Sequence, residues 1–191
     1  AALTLNSGVR TGGPRLCIVT NGGGPAVMAA DSVNEMGLKL AELSPETMAA
    51  LDGVLPATWS KGNPVDVIGD ASADRYEKAL RICMDDKGVD AVLAILTPQA
   101  MTDAFAVAER VVELKANHKK ALFTCWMGEK AVSSSRKLFS ANNIPSYRAP
   151  ENAVLAFSAA AAYTANQKLL LQVPDPLSPQ DAPDLVEARR I

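Results

Sequence analysis

Apolar, strand-like runs alternate with stretches of helical periodicity along most of the chain. Extended runs are predicted at 15–20, 39–43, 90–98, 121–126 and 144–148, with a short extended piece at 65–68. Helical patterns are predicted at 25–36, at 45–55 behind a Ser44 cap, and at 73–84, 102–116, 129–140 and 150–171. The run DAVLAILTP (90–98) is apolar over most of its length, which is typical of a central parallel strand.

This order of elements predicts an α/β fold. Strand and helix alternate about five times, which is the pattern of βαβ units joined into a parallel sheet. We predict a flavodoxin-like three-layer α/β/α architecture with a five-stranded parallel sheet in the order 2-1-3-4-5, rather than the six-stranded dinucleotide-binding fold. In such a sheet, ligands bind beyond the carboxyl ends of the strands.

A glycine-rich loop follows the first predicted strand in CIVTNGGGPAVMAAD, residues 17–31. Gly22, Gly23 and Gly24 carry no Cβ, so their N–H groups can face a ligand, and a helix start adds about half a positive charge. The loop matches neither G-x-G-x-x-G nor G-x-x-x-x-G-K-[ST]. Two interpretations stay open: an anion cradle, most simply for phosphate, or a tight turn that lets helix and sheet pack closely.

Three further loops are predicted at the same edge of the sheet. They are VIGDAS (67–72), TPQAMTD (97–103) and WMGEK (126–130). Taken singly, Asp70, Ser72 and Thr102 are more simply helix caps than ligands. Four loops with glycine or polar residues that converge on one edge nevertheless favour a binding crevice.

Composition narrows the class of protein. The chain of 191 residues has 48% hydrophobic and 21% charged residues, as an ordinary globular domain does. Its formal charge of −2 argues against nucleic-acid binding, and no run approaches the roughly 18 apolar residues of a membrane helix. The three cysteines lack metal-ligand spacing, so we expect no metal site and predict reduced, buried thiols in a cytoplasmic protein.

Both ends of the chain have the composition of linkers. Residues 1–13 lack the pattern of a signal peptide, and residues 173–191 are rich in proline. We therefore expect one domain, 14–172, between an N-terminal linker and a C-terminal Pro-rich linker, as part of a longer multidomain protein.

Six strings of the sequence form a more specific pattern. They are IVTNGGGPAVMAAD, GLKLAELSPET, LPATWSKGNPVDVIGDASADRYEKAL, DAVLAILTPQAMTD, WMGEKAV and IPSYRAPENAVLAF. Together they resemble the second flavodoxin-like domain of NDP-forming acyl-CoA synthetases, which are relatives of succinyl-CoA synthetase and include ADP-forming acetyl-CoA synthetases. The same module occurs in the synthetase-like half of some bacterial protein-lysine acetyltransferases. The resemblance covers about residues 14–160.

The resemblance implies a ligase reaction in three steps. Acyl-CoA and phosphate interconvert with acyl phosphate and CoA, the phosphoryl group passes to a histidine, and a swinging histidine loop carries it to ADP in an ATP-grasp domain. Helix N-termini of two flavodoxin-like domains hold the phosphohistidine. Preorganised dipoles stabilise such a phosphoryl group, so this domain needs no catalytic nucleophile.

The same resemblance implies two sets of site residues. The phosphate-binding set is Asn21, Gly22, Gly23, Gly24, Pro25 and Ala26. The set expected to line the acyl-phosphate pocket is Gly69, Asp70, Thr97, Pro98, Gln99 and Gly128.

The cofactors of the parent enzyme would be CoA, ATP or ADP, and Mg²⁺, none of them bound by this domain alone. The expected partners in an oligomeric parent enzyme are a histidine-bearing flavodoxin-like domain, a CoA-binding domain and an ATP-grasp domain. Acyl-CoA and phosphate would be its small-molecule partners, with no nucleic acid and no membrane.

The chain departs from the family pattern in two places. Its one histidine, His118, follows a predicted helix at the opposite edge of the sheet and is expected to be a surface residue without a catalytic role. Glu129 stands where the family often has a second glycine, which could change the charge near the acyl pocket. We expect the isolated domain to be catalytically inactive.

Two other functions compete with the synthetase interpretation. In the acetyltransferase relatives, the module senses acyl-CoA or holds an oligomer together without turnover. A flavin-binding flavodoxin is disfavoured, because the first loop lacks a hydroxyl-rich phosphate turn and aromatic residues make up only 5% of the chain.

Overall fold

The computed structural model of the protein describes residues 9–172. Its strands are β1 (Arg15–Thr20), β2 (Lys39–Leu40), β3 (Val65–Asp66), β4 (Ala91–Leu96), β5 (Ala121–Trp126) and β6 (Ser146–Tyr147). Its helices are α1 (Gly23–Glu35), α2 (Pro45–Val54), α3 (Ala73–Asp85), α4 (Ala104–Asn117), α5 (Ser133–Ala141) and α6 (Pro150–Leu170), with a 3-10 turn at Lys130–Val132.

The strands form one parallel sheet in the order β2-β1-β4-β5-β6. This arrangement confirms the predicted flavodoxin-like three-layer α/β/α fold. The strand order is close to the predicted 2-1-3-4-5 and differs by one short additional strand, β3, which pairs with β1. β2 pairs only with Arg15 and Leu16 of β1. The rest of that side of β1 is free to pair with β3, through Val19 and Thr20.

The sheet is buried on both faces, which explains why β4 and β5 are apolar along their whole length. Side chains that alternate along each strand enter two separate cores. One core lies against α2, α3, α4 and α5, and it holds Cys17, Cys83 and Trp126. The other lies against α1 and α6 and holds Cys125. All three cysteines are buried free thiols, as predicted.

Local signals place most helix starts correctly. The Ser44 hydroxyl accepts the Thr47 N–H, and the Ser72 hydroxyl accepts the Arg75 N–H. The helix predicted from 102 begins instead at Ala104, because the Asp103 carboxylate caps it through two backbone N–H groups. The predicted helix 129–140 is divided into the 3-10 turn and α5.

Residues 9–13 pack against α6. Val9 and Thr11 are buried, the Thr164 hydroxyl donates to the Thr11 carbonyl at 3.0 Å, and the Arg10 guanidinium lies 4.6 Å from the centre of the Tyr163 ring. The predicted linkers are otherwise outside the described residues, at 1–8 and 173–191. No helix in the stretch from 9 to 172 is long and apolar enough to cross a membrane.

Candidate functional site

The predicted site residues lie at the carboxyl edge of the sheet, where β1, β4 and β5 end. Asn21, directly after β1, holds the first residue after β4: its Oδ1 accepts the Thr97 N–H at 2.8 Å, and its Nδ2 donates to the Thr97 carbonyl at 2.9 Å. These two bonds continue the pairing of β1 with β4 beyond the strands. The Asn21 side chain is thus buried and fully used by the protein backbone.

Three glycines from three loops pack against consecutive residues of the β4–α4 loop. A Cβ added to Gly22 would lie 2.8 Å from Thr97 Oγ1, which leaves no room for it. A Cβ on Gly69 would lie 3.4 Å from Gln99, and one on Gly128 would lie 3.4 Å from Pro98. The three loops therefore do converge, and Thr97, Pro98 and Gln99 lie at their centre.

Gly23 and Gly24 have the opposite environment. Both are exposed, and a Cβ added to either would have no atom within 4 Å. They are the first two residues of α1, ahead of Pro25, which has no N–H, and the first backbone bond of the helix joins Ala26 N to Gly22 O at 3.3 Å. In the described part of the chain, neither glycine N–H has a recorded acceptor, and α1 lacks both a side-chain cap and an acidic residue in its first turn.

This helix start can hold an anion. Two unpaired N–H groups point out of the first turn of a 13-residue helix, and its dipole favours negative charge there. The structure supports the packing interpretation at Gly22, whereas Gly23 and Gly24 are exposed at the helix start, where an anion site stays a prediction.

Two buried hydroxyls that the sequence pattern did not point to support this loop. The Thr20 side chain accepts the Gly22 N–H at 3.1 Å, which fixes the residue before α1. The Tyr76 hydroxyl donates to the Ile95 carbonyl at 2.6 Å beneath the same edge. Burial raises the pKa of Tyr76 well above its usual value, so it stays a neutral donor. A threonine two residues before a glycine is the sequence signal that could have identified Thr20.

The β3–α3 loop is the second of the three loops that pack against the β4–α4 loop. Ile68 has a φ of 70°, an unusual backbone for a β-branched residue, and its N–H donates to Asp66 Oδ1 at 2.8 Å. The Thr102 hydroxyl lies 3.0 Å from the Gly69 carbonyl oxygen, so it joins this loop to the β4–α4 loop and does not cap a helix. Asp70 pairs with Arg75, which neutralises the carboxylate predicted to line the pocket.

The loop after β5, which contains Gly128, is the third of these loops. Gly128 has a φ of +95°, which favours glycine, and Arg136 of α5 donates from Nη2 to the carbonyls of Trp126 and Gly128, at 2.5 Å each. Glu129, which could have changed the charge of the pocket, instead pairs with Arg148 at 2.9 Å. Trp126 packs in the core and donates from Nε1 to the Ala104 carbonyl.

Exposed apolar side chains surround this edge. They belong to the first two turns of three helices and to the β4–α4 loop: Val27, Met28, Met101, Phe105 and Leu155. Helical spacing alone would place Met28 in the core, but the residue is 43% exposed. Ala26, Ala29, Ser32 and Val33 form the buried face of α1 instead.

His118 lies at the opposite edge of the sheet, away from the glycine loop, as predicted. It is more enclosed than the expected surface residue, with 17% of its side chain exposed. Its Nδ1 lies 2.9 Å from the Leu114 carbonyl, and its Nε2 lies 3.3 Å from Asp85 Oδ1. These contacts close the end of α4, and they give His118 a structural role.

The sequence was compared with known families. The Ligase-CoA domain family matches residues 16–171. This chain belongs to that family. Among the curated relatives of this family member, acetate–CoA ligase [ADP-forming] I of Archaeoglobus fulgidus is 42% identical over 149 residues, which cover 78% of this chain and 21% of that protein.

A second relative is acetate–CoA ligase [ADP-forming] II subunit alpha of Pyrococcus furiosus. It is 32% identical over 164 residues, which cover 82% of this chain and 34% of the subunit. The chain therefore spans only a fifth to a third of the length of these relatives. These matches confirm the predicted membership of the NDP-forming acyl-CoA synthetase family.

Solved structures agree with this assignment. The dinucleotide forming acetyl-coenzyme A synthetase 1 of Ca. Korarchaeum cryptofilum, in its apo form, superposes with a TM-score of 0.81 at 27% identity. The match covers 90% of this chain and 38% of that one. A structure of the same synthetase in complex with phosphate and ADP gives the same TM-score and identity.

Proposed function

We propose that this chain is one domain of an NDP-forming acyl-CoA synthetase, which converts acyl-CoA, NDP and phosphate to an acid, NTP and CoA. In this proposal the domain binds the phosphoryl group that passes between acyl phosphate, a histidine and the nucleotide. One observation carries the proposal: Gly23 and Gly24 begin α1 with free N–H groups, and in the described structure no atom lies within 4 Å of a Cβ added to either residue. The family relationship supports it.

Each site residue has a specific role in this proposal. The N–H groups of Gly23 and Gly24 bind the phosphoryl oxygens, because no side chain caps the first turn of α1. Asn21 and Gly22 position the loop, because one is bonded to Thr97 and the other packs against it.

Gly69, Asp70, Thr97, Pro98, Gln99 and Gly128 are proposed to line the neighbouring space for acyl phosphate. The Thr97 hydroxyl is buried without a hydrogen-bond partner in the described structure, so it is a free polar group at the boundary between the two parts of the site.

The remaining parts of the reaction belong to other domains in this proposal. A second flavodoxin-like domain supplies the histidine, and CoA, ADP or ATP, and Mg²⁺ bind to the CoA-binding and ATP-grasp domains. The exposed side chains of Val27, Met28 and Leu155 support a partner domain at this edge, since apolar groups grouped around a site favour burial. Three free thiols suit a cytoplasmic enzyme, and that location is part of the proposal.

A substitution in the glycine loop tests the proposal. The full-length protein that contains this chain is incubated with labelled ATP, and acid-labile phosphohistidine is quantified for the wild type and for Gly23→Glu. The new carboxylate would occupy the proposed phosphoryl position, so we expect labelling to fall by about 100-fold or more. Gly53→Glu is the matched control, because Gly53 is also a helical glycine with no atom within 4 Å of an added Cβ.

The outcomes separate the competing functions. Loss of labelling in a folded Gly23→Glu protein, with normal labelling in Gly53→Glu, supports the phosphoryl site. Equal labelling of all three proteins contradicts it and leaves the glycines as a packing turn. Absence of labelling in the wild type, with acyl-CoA still bound, would favour the acyl-CoA-sensing module of a protein-lysine acetyltransferase.

A further inference from the structure

Arg136 brings a positive charge to the carboxyl edge of the sheet. It lies in the first half of α5, and its Nη2 uses both of its hydrogens on backbone carbonyls, those of Trp126 and Gly128. These carbonyls belong to the end of β5 and to the loop that packs on Pro98. One guanidinium therefore fixes the Gly128 loop, which is proposed to line the acyl-phosphate pocket.

In the part of the chain that the structure describes, no carboxylate forms an ion pair with Arg136. The first turn of α5 contains no acidic residue. The nearest candidate by sequence, Glu129, is paired with Arg148. By contrast, Arg75 is neutralised by Asp70.

The guanidinium also has unused hydrogen-bonding capacity. Within residues 9–172, Arg136 Nε is buried without a hydrogen-bond partner, and so is Ser146 Oγ on β6, which pairs with the same strand β5. A buried charged donor without a partner is costly, so its persistence needs a reason.

We propose that Arg136 is a positioning residue of the anion pocket: it holds the Gly128 loop open through two carbonyls and supplies the uncompensated positive charge that attracts an anionic ligand. This inference rests on the proposed function, because it assigns acyl phosphate or phosphate to the space beside that loop. A purely structural arginine would hold the loop equally well whether or not an anion was present. The two roles therefore differ in their dependence on charge.

Two substitutions separate the charge of Arg136 from its geometry. Arg136→Lys keeps the charge and loses the forked bonds, whereas Arg136→Gln keeps an NH2 group and loses the charge. Arg110→Gln is the matched control, because it removes the same charge from an arginine of α4 that is 54% accessible, already paired with Glu113 and outside the proposed site. Thermal unfolding of each full-length variant reports the structural contribution separately.

The readouts are the affinity for inorganic phosphate, by calorimetry on the full-length protein, and the KM for phosphate and kcat of the acyl-CoA-consuming reaction. We expect Arg136→Gln to weaken phosphate binding and raise KM by about tenfold or more, Arg136→Lys by about threefold, and Arg110→Gln by less than twofold. The kcat should change by less than about threefold. Added salt should weaken phosphate binding to the wild type more than to Arg136→Gln.

The binding measurement makes the test independent of turnover. If the wild type binds phosphate but has no ligase activity, the proposed function fails, and the affinities of the variants still decide the role of Arg136. Equal phosphate affinity in the wild type and Arg136→Gln would overturn the inference, as would equal losses in Arg136→Gln and Arg110→Gln. A wild type that does not bind phosphate would overturn it as well.

Discussion

Gly22 and Gly24 stand two positions apart and tolerate a side chain very differently. At Gly22 an added methyl group meets the Thr97 hydroxyl at 2.8 Å, whereas at Gly24 it meets no atom within 4 Å. We expect Gly22→Ala to lower the free energy of unfolding by about 1–3 kcal/mol, because the well-packed loop must move. Gly24→Ala should be neutral or stabilising by up to about 1 kcal/mol, because alanine restricts the unfolded chain. Urea unfolding measures both values.

The clash at Gly22 has its own control. Thr97→Ala removes the hydroxyl that an added methyl group would meet, so Gly22→Ala should cost less in that background. A double-mutant cycle gives this coupling. Equal costs in the two backgrounds would show that the loop is not limited by Thr97.

At the scale of the elements, the Asn63 side chain completes the backbone hydrogen bonding of strand β1. Asn63 Oδ1 accepts the Ile18 N–H, and its Nδ2 lies 2.9 Å from the carbonyls of Leu16 and Ala41. It bridges the gap along β1 between β2 and β3. We expect Asn63→Leu to lower the free energy of unfolding by about 2–4 kcal/mol, because buried backbone groups lose their partners. Chemical denaturation measures the loss.

Asn117→Leu is the comparison for this prediction. Asn117 is exposed at the end of α4, and its amide donates only to the Glu113 carbonyl of its own helix. This substitution should change the free energy of unfolding by less than about 0.5 kcal/mol. If the two substitutions cost the same, Asn63 does not stabilise the edge of β1.

At the scale of the whole molecule, Asp90 joins the segment that precedes β1, residues 9–13, to the sheet. Its carboxylate accepts from the Arg15 backbone N–H and guanidinium at 2.9–3.0 Å, and it lies against Gly13. The bonds from Arg15 hold the pKa of Asp90 below its usual value, against the opposing effect of burial. Stability from this carboxylate is therefore complete above its unfolded pKa of about 3.9 and is lost as pH falls through the lower native pKa.

This linkage predicts a pH-dependent difference between two proteins. At pH 7, Asp90→Asn should unfold with a free energy about 1–2 kcal/mol below that of the wild type, and the difference should shrink below about pH 4. Denaturation curves from pH 2 to 7 measure it. Asp31→Asn, at an exposed position of α1, is the control and should leave the curve near that of the wild type. A difference that grows in acid would contradict the assignment.

The sequence by itself determined the order of elements, the parallel sheet and the edge where the loops meet. Those features depend on neighbours in the chain: the 2.0 and 3.6 periods, caps such as Ser44 and Ser72, and glycines after strands. The family also followed from contiguous strings. Local sequence patterns identified Gly22, Gly23 and Gly24 as a special loop, but they did not distinguish close packing from anion binding.

Only the tertiary structure decided which glycine is packed and which are exposed, because that depends on residues far apart in sequence. Asn21 and Thr97 are 76 positions apart, and their two bonds determine which glycine is packed and which are open. Contacts between distant residues likewise attach residues 9–13 to α6, and Met28 lies on the exposed side of α1. The hydrophobic periodicity of the sequence cannot predict such contacts, because the packing of the helices on the sheet determines which residues meet.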